Sequence, residues 1–365
     1  MIPADRAGIW PLTYTECRDR FIGAATAAGA ALSSHPIDAV GPGDEALSVD
    51  VARLGPRDAL RVLLVMSGTH GIEGFAGSMI QQDVLGTLAG RLEPGTAVVL
   101  VHGVNPWGMA WWRRANESNV DLNRNWQPFT EVPPANEPYT EVHDLLCPDG
   151  PGLPDGDPFV RALSALSTDR GLPWVRRAIS GGQYSHPHGL YFGGAKREQS
   201  TAFLEQIADA ELAGAEALLA IDLHTGHGAY GTYTLLSPAP IGSAQDEWLR
   251  TRFDRDRIEA TVANPDATSA PKFGQLAPGI LRRAAPDRSW NFTFELGTRS
   301  ETRMIVAERA EHWVHRFGDR DDPDHAAAVW EHRVCSIPDD PEWERSGLAH
   351  GRTVLDAALK ALPTI

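Results

Sequence analysis

The sequence has few cysteines, and their spacing excludes two kinds of site. The 365-residue chain contains only Cys17, Cys147 and Cys335, and no two of them form a CxxC pair. A disulfide framework needs more cysteines than this, and a thiolate zinc site needs them in closely spaced pairs. We therefore expect three reduced thiols in a reducing compartment.

Basic residues are in the minority. The 33 Lys and Arg stand against 48 Asp and Glu, which gives a formal net charge of −15 at pH 7. Because a surface of this sign is repelled by nucleic-acid phosphates and by anionic lipid, we expect neither nucleic acid nor a membrane as a partner. A local basic pocket for a small anion remains compatible with an acidic surface.

Long apolar runs are absent. No stretch approaches the roughly 20 residues of a membrane-spanning helix. The first residues, MIPADRAGIWPLTY, have neither the basic nor the apolar region of a secretory signal. We therefore expect a cytoplasmic protein. No repeat, low-complexity segment or shift in composition divides the chain, so we expect a single domain over residues 1–365, and the oligomeric state stays open.

Short apolar runs are frequent and predict buried strands. The runs 62–66 (VLLVM) and 96–101 (TAVVLV) flank a helical pattern over 75–88, and a third run covers 217–221 (ALLAI). Strand, helix and strand in this order indicate a parallel sheet. The sequence therefore predicts a three-layer α/β/α fold with a mixed, mostly parallel sheet.

Further segments complete this prediction. The alternating segment 46–54 predicts a strand that pairs antiparallel with 62–66 through the turn at 55–58. Two more strands are predicted at 232–236 and 290–294, and residues 128–158 are predicted to form a long surface loop. Helices are predicted over 14–32, 159–180, 198–217, 302–316, 324–334 and 352–361.

Polar residues follow the ends of several predicted strands. These residues are His70, Glu73, His102, Asn105, Asp222, His224 and Glu295. In open α/β sheets, functional sites form beyond the carboxyl ends of the strands. We therefore expect these side chains, although distant in sequence, to converge.

The residue types in this set suit zinc hydrolysis. Two imidazoles and one carboxylate form a site that leaves a fourth position open for water. Zinc lowers the pKa of such a water to about 7, and a further carboxylate, Glu295, is available to take its proton. An arginine must then stabilise the oxyanion or hold a substrate carboxylate. Candidates are Arg113, Arg114 and Arg124.

Four segments together carry a family resemblance. They are GTHGIEG (68–74), NVDLNRNW (119–126), DLHTG (222–226) and FELGT (294–298). In this order they resemble the zinc carboxypeptidase superfamily, and they are most similar to its succinylglutamate desuccinylase and aspartoacylase branch and related uncharacterised hydrolases. The resemblance spans most of the chain and implies the same three-layer, carboxypeptidase-like fold.

The resemblance also implies roles for individual residues. It implies that His70, Glu73 and His224 bind one zinc ion per chain, and that Glu295 is the general base and later the proton donor. Asn123 and Arg124 match the pair that binds a substrate carboxylate. Arg114, or alternatively Arg113, matches the arginine that polarises the scissile carbonyl.

Other residues are candidates to line the substrate pocket. Carboxypeptidases of this superfamily carry a tyrosine on a mobile loop, and the candidates here are Tyr184, Tyr191, Tyr230 and Tyr233. His227 and His186 are further candidates. Asp222, two residues before His224, could orient an imidazole or serve the end of the strand.

The predicted function is zinc-dependent hydrolysis of an amide bond next to a carboxylate. The substrate is predicted to be a short peptide or a small molecule that carries a carboxylate. A metallocarboxypeptidase acting on short peptides is the first interpretation, and a deacylase or amidase of N-acyl amino acids or a related metabolite is the second. A non-catalytic binding protein on the same fold is the third.

Overall fold

The computed structural model describes residues 7–8, 10–88, 90–261, 272–284 and 288–365. Within these residues one mixed sheet contains eight strands. The strands are β1 (Ala31–Val40), β2 (Ala46–Leu54), β3 (Arg61–Ser67), β4 (Thr96–His102), β5 (Ala217–Gly226), β6 (Tyr233–Ser237), β7 (Ile258–Ala260) and β8 (Ser289–Gly297). The predicted strands at 46–54, 62–66, 96–101, 217–221, 232–236 and 290–294 are confirmed.

Helices occupy much of the remaining chain. They are α1 (Tyr14–Ala27), α2 (Gly74–Leu88), α3 (Pro106–Ala110), α4 (Glu137–Leu146), α5 (Gly156–Arg170), α6 (Leu172–Ser180), α7 (Gln199–Glu211), α8 (Ala244–Arg252), α9 (Leu276–Ala284), α10 (Glu301–Phe317), α11 (Pro323–Ser336) and α12 (Pro341–Ala361). In the described part of the chain, none of these helices combines the length and the apolarity needed to cross a membrane.

The strand order is β1-β2-β4-β3-β5-β8-β6-β7. The four central strands, β4, β3, β5 and β8, are parallel to one another. Antiparallel pairs join β1 to β2, β2 to β4, and β6 to β8. Because the central strands are parallel, their carboxyl ends meet along one edge of the sheet, where a site can form.

Both faces of the sheet are covered. Alternate residues of a strand point to opposite faces, and in β3 Leu63 and Val65 join a core with α1, α2 and α12. Val62 and Leu64 join a second core with α7 and α9 on the other face. The predicted three-layer α/β/α fold is confirmed.

The pairing predicted for the first strands is wrong. β2 pairs with β1 and β4 and does not pair with β3. The reason is that β4, after the α2 crossover, lies parallel against the edge of β3 that β2 would need. The helix predicted over 14–32 is too long, because α1 ends at Ala27, Gly29 has a φ of +71°, and β1 begins at Ala31.

Between β4 and β5 the structure differs from the prediction in two segments. The helix predicted over 159–180 is two helices, α5 and α6, separated by Gly171 with a φ of +85°. The predicted loop 128–158 contains α4, whose first turn is capped by the side chain of Asn136. Tyr139 and Val142 of α4 pack against Ala178 of α6 in a third apolar cluster, so this excursion is an ordered subassembly beside the sheet.

Candidate metal centre and substrate cavity

A tight turn after β3 places the first two candidate ligands. Gly68 has a φ of +74°, which favours glycine, and the chain then turns through a single 3₁₀ turn, Gly71–Glu73. The backbone N–H of Gly71 donates to Arg114 O, and that of Ile72 donates to Arg113 O. A side chain at position 71 would meet the backbone of Gly108 at 2.2 Å. The turn is therefore held by backbone contacts, with His70 and Glu73 at its two ends.

His70, Glu73 and His224 converge, and they are called the His–Glu–His triad below. His70 Nδ1 lies 2.8 Å from Glu73 Oε1. His224 Nδ1 lies 2.9 Å from Glu73 Oε2 and 3.0 Å from His70 Nδ1. All three side chains are buried. Among the described residues this is the one group of three or more His, Cys, Asp or Glu whose ligand atoms lie within 4.8 Å of one another.

Two aspartates flank the outer nitrogens of the triad. His224 Nε2 lies 2.9 Å from Asp222 Oδ2, and Thr69 Oγ1 donates to the same carboxylate. His70 Nε2 lies 3.4 Å from Asp121 Oδ1. A carboxylate on the far nitrogen of a ligating histidine orients the ring and raises its basicity. Asp222 lies within ion-pair distance of His224 Nε2, which makes no hydrogen bond within the described residues, and it is a candidate to orient that ring.

The donor set of the triad fits a divalent cation. Two Nδ1 atoms at 3.0 Å place two lone pairs against each other, so a proton or a metal ion must lie between them. Burial would raise the pKa of Glu73, but the positive charge of His70 and the hydrogen bond from His224 hold this pKa well below its usual range. Burial would lower the pKa of His224, but Asp222 and Glu73 raise it well above its usual range. The site therefore favours positive charge at its centre.

Glu295 lies beside the triad. It is on β8, and β8 runs parallel to β5 with Glu295 in register with His224. Its Oε2 accepts a hydrogen bond from the backbone N–H of His227 at 3.3 Å. Glu295 also lines the cavity that the triad opens into. The structure therefore places this carboxylate at the same cavity as the triad, and its role as a base stays a prediction.

Arg114 lies against the triad. Its Nη2 is 2.7 Å from His70 Nε2 and 3.1 Å from Asp121 Oδ2, and its Nη1 is 3.6 Å from Glu73 Oε1. Its guanidinium lies 5.2 Å from the ring centre of Tyr191. Tyr191 donates to Glu308 Oε2 at 2.8 Å. Burial would lower the pKa of Arg114, but the surrounding carboxylates raise it further, so this cation is permanent.

Arg113, the alternative to Arg114, occupies a different environment. Its Nε donates to both oxygens of Glu311 at 3.1 and 3.3 Å, and its side chain is buried. It is not among the residues that line the cavity. The two adjacent side chains therefore lie in different surroundings, and of the two Arg114 is the one that faces the triad. The structure corrects the prediction that Arg113 is a substrate-binding candidate.

Arg124 lines the cavity and is almost fully buried. It donates to Asn123 O at 2.8 Å and to Ser180 O at 2.7 Å, while its Nε has no hydrogen-bond partner within the described residues. The nearest carboxylate, Asp121, is 4.0 Å away. A buried guanidinium at the cavity wall, with a carboxylate no closer than 4.0 Å among the described residues, is suited to an anionic ligand.

Of the other residues predicted to contact the substrate, some line the cavity and others lie outside it. His227 lines the cavity, and its Nε2 lies 2.9 Å from Glu259. Asn123 is buried outside the lining and accepts the backbone N–H of Leu276. Tyr184 donates to Arg124 O at 2.6 Å and so supports that residue from outside the cavity. Tyr230 lies at the surface, where it donates to Asp340, so its proposed place in the pocket is corrected.

The cavity has a volume of about 370 Å³, within the size range of small-ligand sites. Sequence reasoning missed Lys272 and Glu308, both of which line it. Burial, together with the charge of Arg124, lowers the pKa of Lys272 to about 8. The chain is rich in arginine and has only three lysines. This rarity is the feature of the sequence that could have drawn attention to Lys272. Glu308 had no signal, because its position depends on how α10 packs.

Comparisons with known proteins give one family and a set of related folds. A family model described as "Protein of unknown function (DUF2817)" matches residues 10–350. No curated protein matches the chain. Solved structures that resemble it include the succinylglutamate desuccinylase from Chromobacterium violaceum, with 17% identity, coverage of 88% of this chain and 75% of that chain, and a TM-score of 0.38.

Two further solved structures are also similar to the chain. A metallo-carboxypeptidase from Pseudomonas aeruginosa, in complex with (2-guanidinoethylmercapto)succinic acid, has 16% identity, coverage of 94% and 69%, and a TM-score of 0.42. Bovine thrombin-activatable fibrinolysis inhibitor, in complex with tick carboxypeptidase inhibitor, has 11% identity, coverage of 89% and 96%, and a TM-score of 0.44.

Proposed function

The chain belongs to the DUF2817 family, and we propose that it is a zinc-dependent hydrolase that cleaves an amide bond next to a carboxylate. The observation that carries this proposal is the His–Glu–His triad with Glu295 in register beside it. Three protein ligands and an adjacent free carboxylate are the set that a catalytic zinc site needs. We further propose that the whole chain, residues 1–365, forms one zinc-hydrolase domain.

His70, Glu73 and His224 would hold the ion through Nδ1, a carboxylate oxygen and Nδ1, the atoms that face one another. When bound, zinc supplies a Lewis acid that polarises a carbonyl and acidifies water. Glu295 takes the proton of the attacking water and returns it to the leaving nitrogen. A single carboxylate can do both, since it is free of the triad and reaches the same cavity.

Arg114 would stabilise the negative charge that develops on the carbonyl oxygen. Its contact with His70 Nε2 bears on this role. A histidine that coordinates through Nδ1 carries its proton on Nε2, and Asp121 Oδ1 is then the acceptor at 3.4 Å. Two donors cannot share one contact, so with a metal on His70 Nδ1 the Arg114 guanidinium would give up this contact and be available to the substrate.

Arg124 and Lys272 would hold the substrate carboxylate. Both are cationic side chains that line the cavity. This explains how a chain with a net charge of −15 can accept an anionic substrate, because the local potential in a cleft need not follow the net charge.

Two substrate classes share this chemistry. A short peptide with a free C-terminus is the first candidate, which makes the protein a metallocarboxypeptidase. An N-acyl amino acid is the second, and the limited cavity volume of about 370 Å³ favours it. Both present an amide one carbon away from a carboxylate.

The test is zinc content and hydrolysis in the same preparations. Purified protein should contain about one zinc per chain by elemental analysis, His70→Ala and His224→Ala should lose it, and His227→Ala, a cavity histidine outside the triad, should retain it. Chelator should abolish hydrolysis of tripeptides or N-acetyl amino acids, and zinc should restore it. Stoichiometric zinc without hydrolysis of either class would instead support the non-catalytic binding protein, and zinc unaffected by both triad variants would refute the site.

A further inference from the structure

The cavity has one apolar side, made mainly by the paired helices α5 and α6. Val160 and Leu163 of α5, Leu172, Val175 and Ile179 of α6, and Ile305 of α10 contribute to it. Leu172 is 46% exposed, although it is a large apolar residue at the lining of a cavity. This side is called the apolar wall below.

The apolar wall continues the core of the α5–α6 pair toward the cavity: Ile305 is a buried member of that core, and Val160, Leu163 and Ile179 pack against it while staying only partly buried. Those helices are already packed on α4 through Phe159 and Ala178, in a cluster with Tyr139, Val142 and Leu146. Apolar surface left over after such packing, inside a cleft rather than scattered over the outside, marks a site for an apolar ligand group.

The apolar wall adjoins the residue that would hold the carboxylate. Arg124 Nη2 donates to Ser180 O at 2.7 Å, and Ser180 is the last residue of α6. Ile179, its neighbour in the chain, belongs to the wall. If the carboxylate of an amino acid binds Arg124, the side chain of that amino acid can therefore contact the apolar wall.

From this juxtaposition we infer that the substrate is the amide of an apolar amino acid, with its carboxylate on Arg124 and its side chain on the apolar wall. The inference rests on the proposed function and specifies its substrate class. Ser164, Ser167, Arg176 and Ser180 of the same helices also line the cavity. A polar or acidic side chain placed against the apolar members of the wall would lose its water without gaining hydrogen-bond partners from them. An apolar side chain would gain from burial.

The experiment compares ligands of nearly equal shape and opposite polarity. The zinc-loaded Glu295→Gln protein, which should bind but not turn over substrate, is titrated calorimetrically with N-acetyl-L-leucine and N-acetyl-L-asparagine. The leucine compound should bind at least about 10-fold more tightly. The dipeptides alanyl-leucine and alanyl-asparagine form a second pair, which distinguishes a peptide source of the apolar residue from an N-acyl source.

Variants of the apolar wall test whether this wall causes the preference for the leucine compound. Leu163→Gln should remove most of the difference between the two ligands, and so should Leu172→Gln, which is exposed and tolerates the change. Leu166→Gln is the matched control, because Leu166 is on α5 in the same apolar cluster but does not line the cavity. It should leave the preference intact.

The outcomes separate this inference from the proposed function. Tighter leucine binding that depends on Leu163 and Leu172 supports the inference, even if the wild-type protein hydrolyses neither compound and the proposed function fails. Hydrolysis of both compounds with equal affinity overturns the inference and leaves the hydrolase standing. Equal or weaker binding of the leucine compound, or a preference unchanged in both wall variants, also overturns it.

Discussion

His224 and Glu295 lie side by side in register on the parallel strands β5 and β8. Residues in register on neighbouring parallel strands point to the same face, so a candidate ligand and a candidate base share one direction without any loop to place them. Glu295 is further fixed by the backbone N–H of His227. The strand pairing therefore sets the distance between the triad and Glu295.

Glu295→Gln should retain zinc and lose activity. The amide keeps the shape of the carboxylate but cannot take a proton, so kcat should fall by about 10²–10⁴-fold, with zinc content and thermal stability unchanged. Glu301→Gln is the matched control, since Glu301 lines the same cavity without a role in proton transfer. Equal losses in the two variants would contradict the assignment of Glu295.

Asp222→Ala should weaken zinc binding without removing a ligand. Asp222 lies 2.9 Å from His224 Nε2, and loss of such an orienting carboxylate typically lowers metal affinity by about 10–100-fold. Competition with a chromophoric chelator measures the change. Asp246→Ala is the control, because Asp246 is also a buried aspartate but pairs with Arg250, away from the triad. Unchanged zinc affinity in Asp222→Ala would leave it only a structural role.

Arg113→Met should mainly lower stability, whereas Arg114→Met should mainly lower kcat. Arg113 forms a buried ion pair with Glu311, to which Arg320 also donates, so its loss should lower the free energy of unfolding by about 1–3 kcal/mol and leave kcat unchanged where the protein is folded. Arg114 faces the triad, so its loss should lower kcat by about 10²–10³-fold. Urea unfolding measures the stability of both variants, and steady-state kinetics measure their kcat. A large loss of kcat in folded Arg113→Met would reverse the assignment.

The central sheet and the triad were predictable because both depend on short-range signals. The run 62–66 is apolar at every position, as expected of a strand buried on both faces, and His70 and Glu73 follow it within one turn. His224 and Glu295 could be placed because they lie at or near the ends of similar runs. Parallel strands then bring such ends together whatever their separation in sequence.

Features that depend on packing between distant segments were not predictable. β1 was missed because this edge strand is largely exposed and lacks an apolar run. The choice between Arg113 and Arg114 depends on Glu311 of α10, which lies far along the chain. Glu308 and the apolar wall likewise depend on where α5, α6 and α10 pack, and no local pattern encodes that placement.

Lys272 should give substrate binding a dependence on alkaline pH. Burial and the charge of Arg124 lower the pKa of this amine to about 8, so it is charged below that pH and neutral above it. A carboxylate substrate should therefore bind less tightly as the pH rises through about 8, and KM should increase while kcat changes little, since the interaction is equal in ground and transition states.

Substitutions separate Lys272 from other titrating groups. Lys272→Met should raise KM at neutral pH and remove its rise at alkaline pH. Lys272→Arg should keep the low KM and hold it to higher pH, because a guanidinium does not titrate in this range. Lys196→Met, a change at an exposed lysine, should behave as wild type. If KM in Lys272→Met still rises near pH 8, another titrating group causes the rise, and the assignment of this pH dependence to Lys272 is wrong.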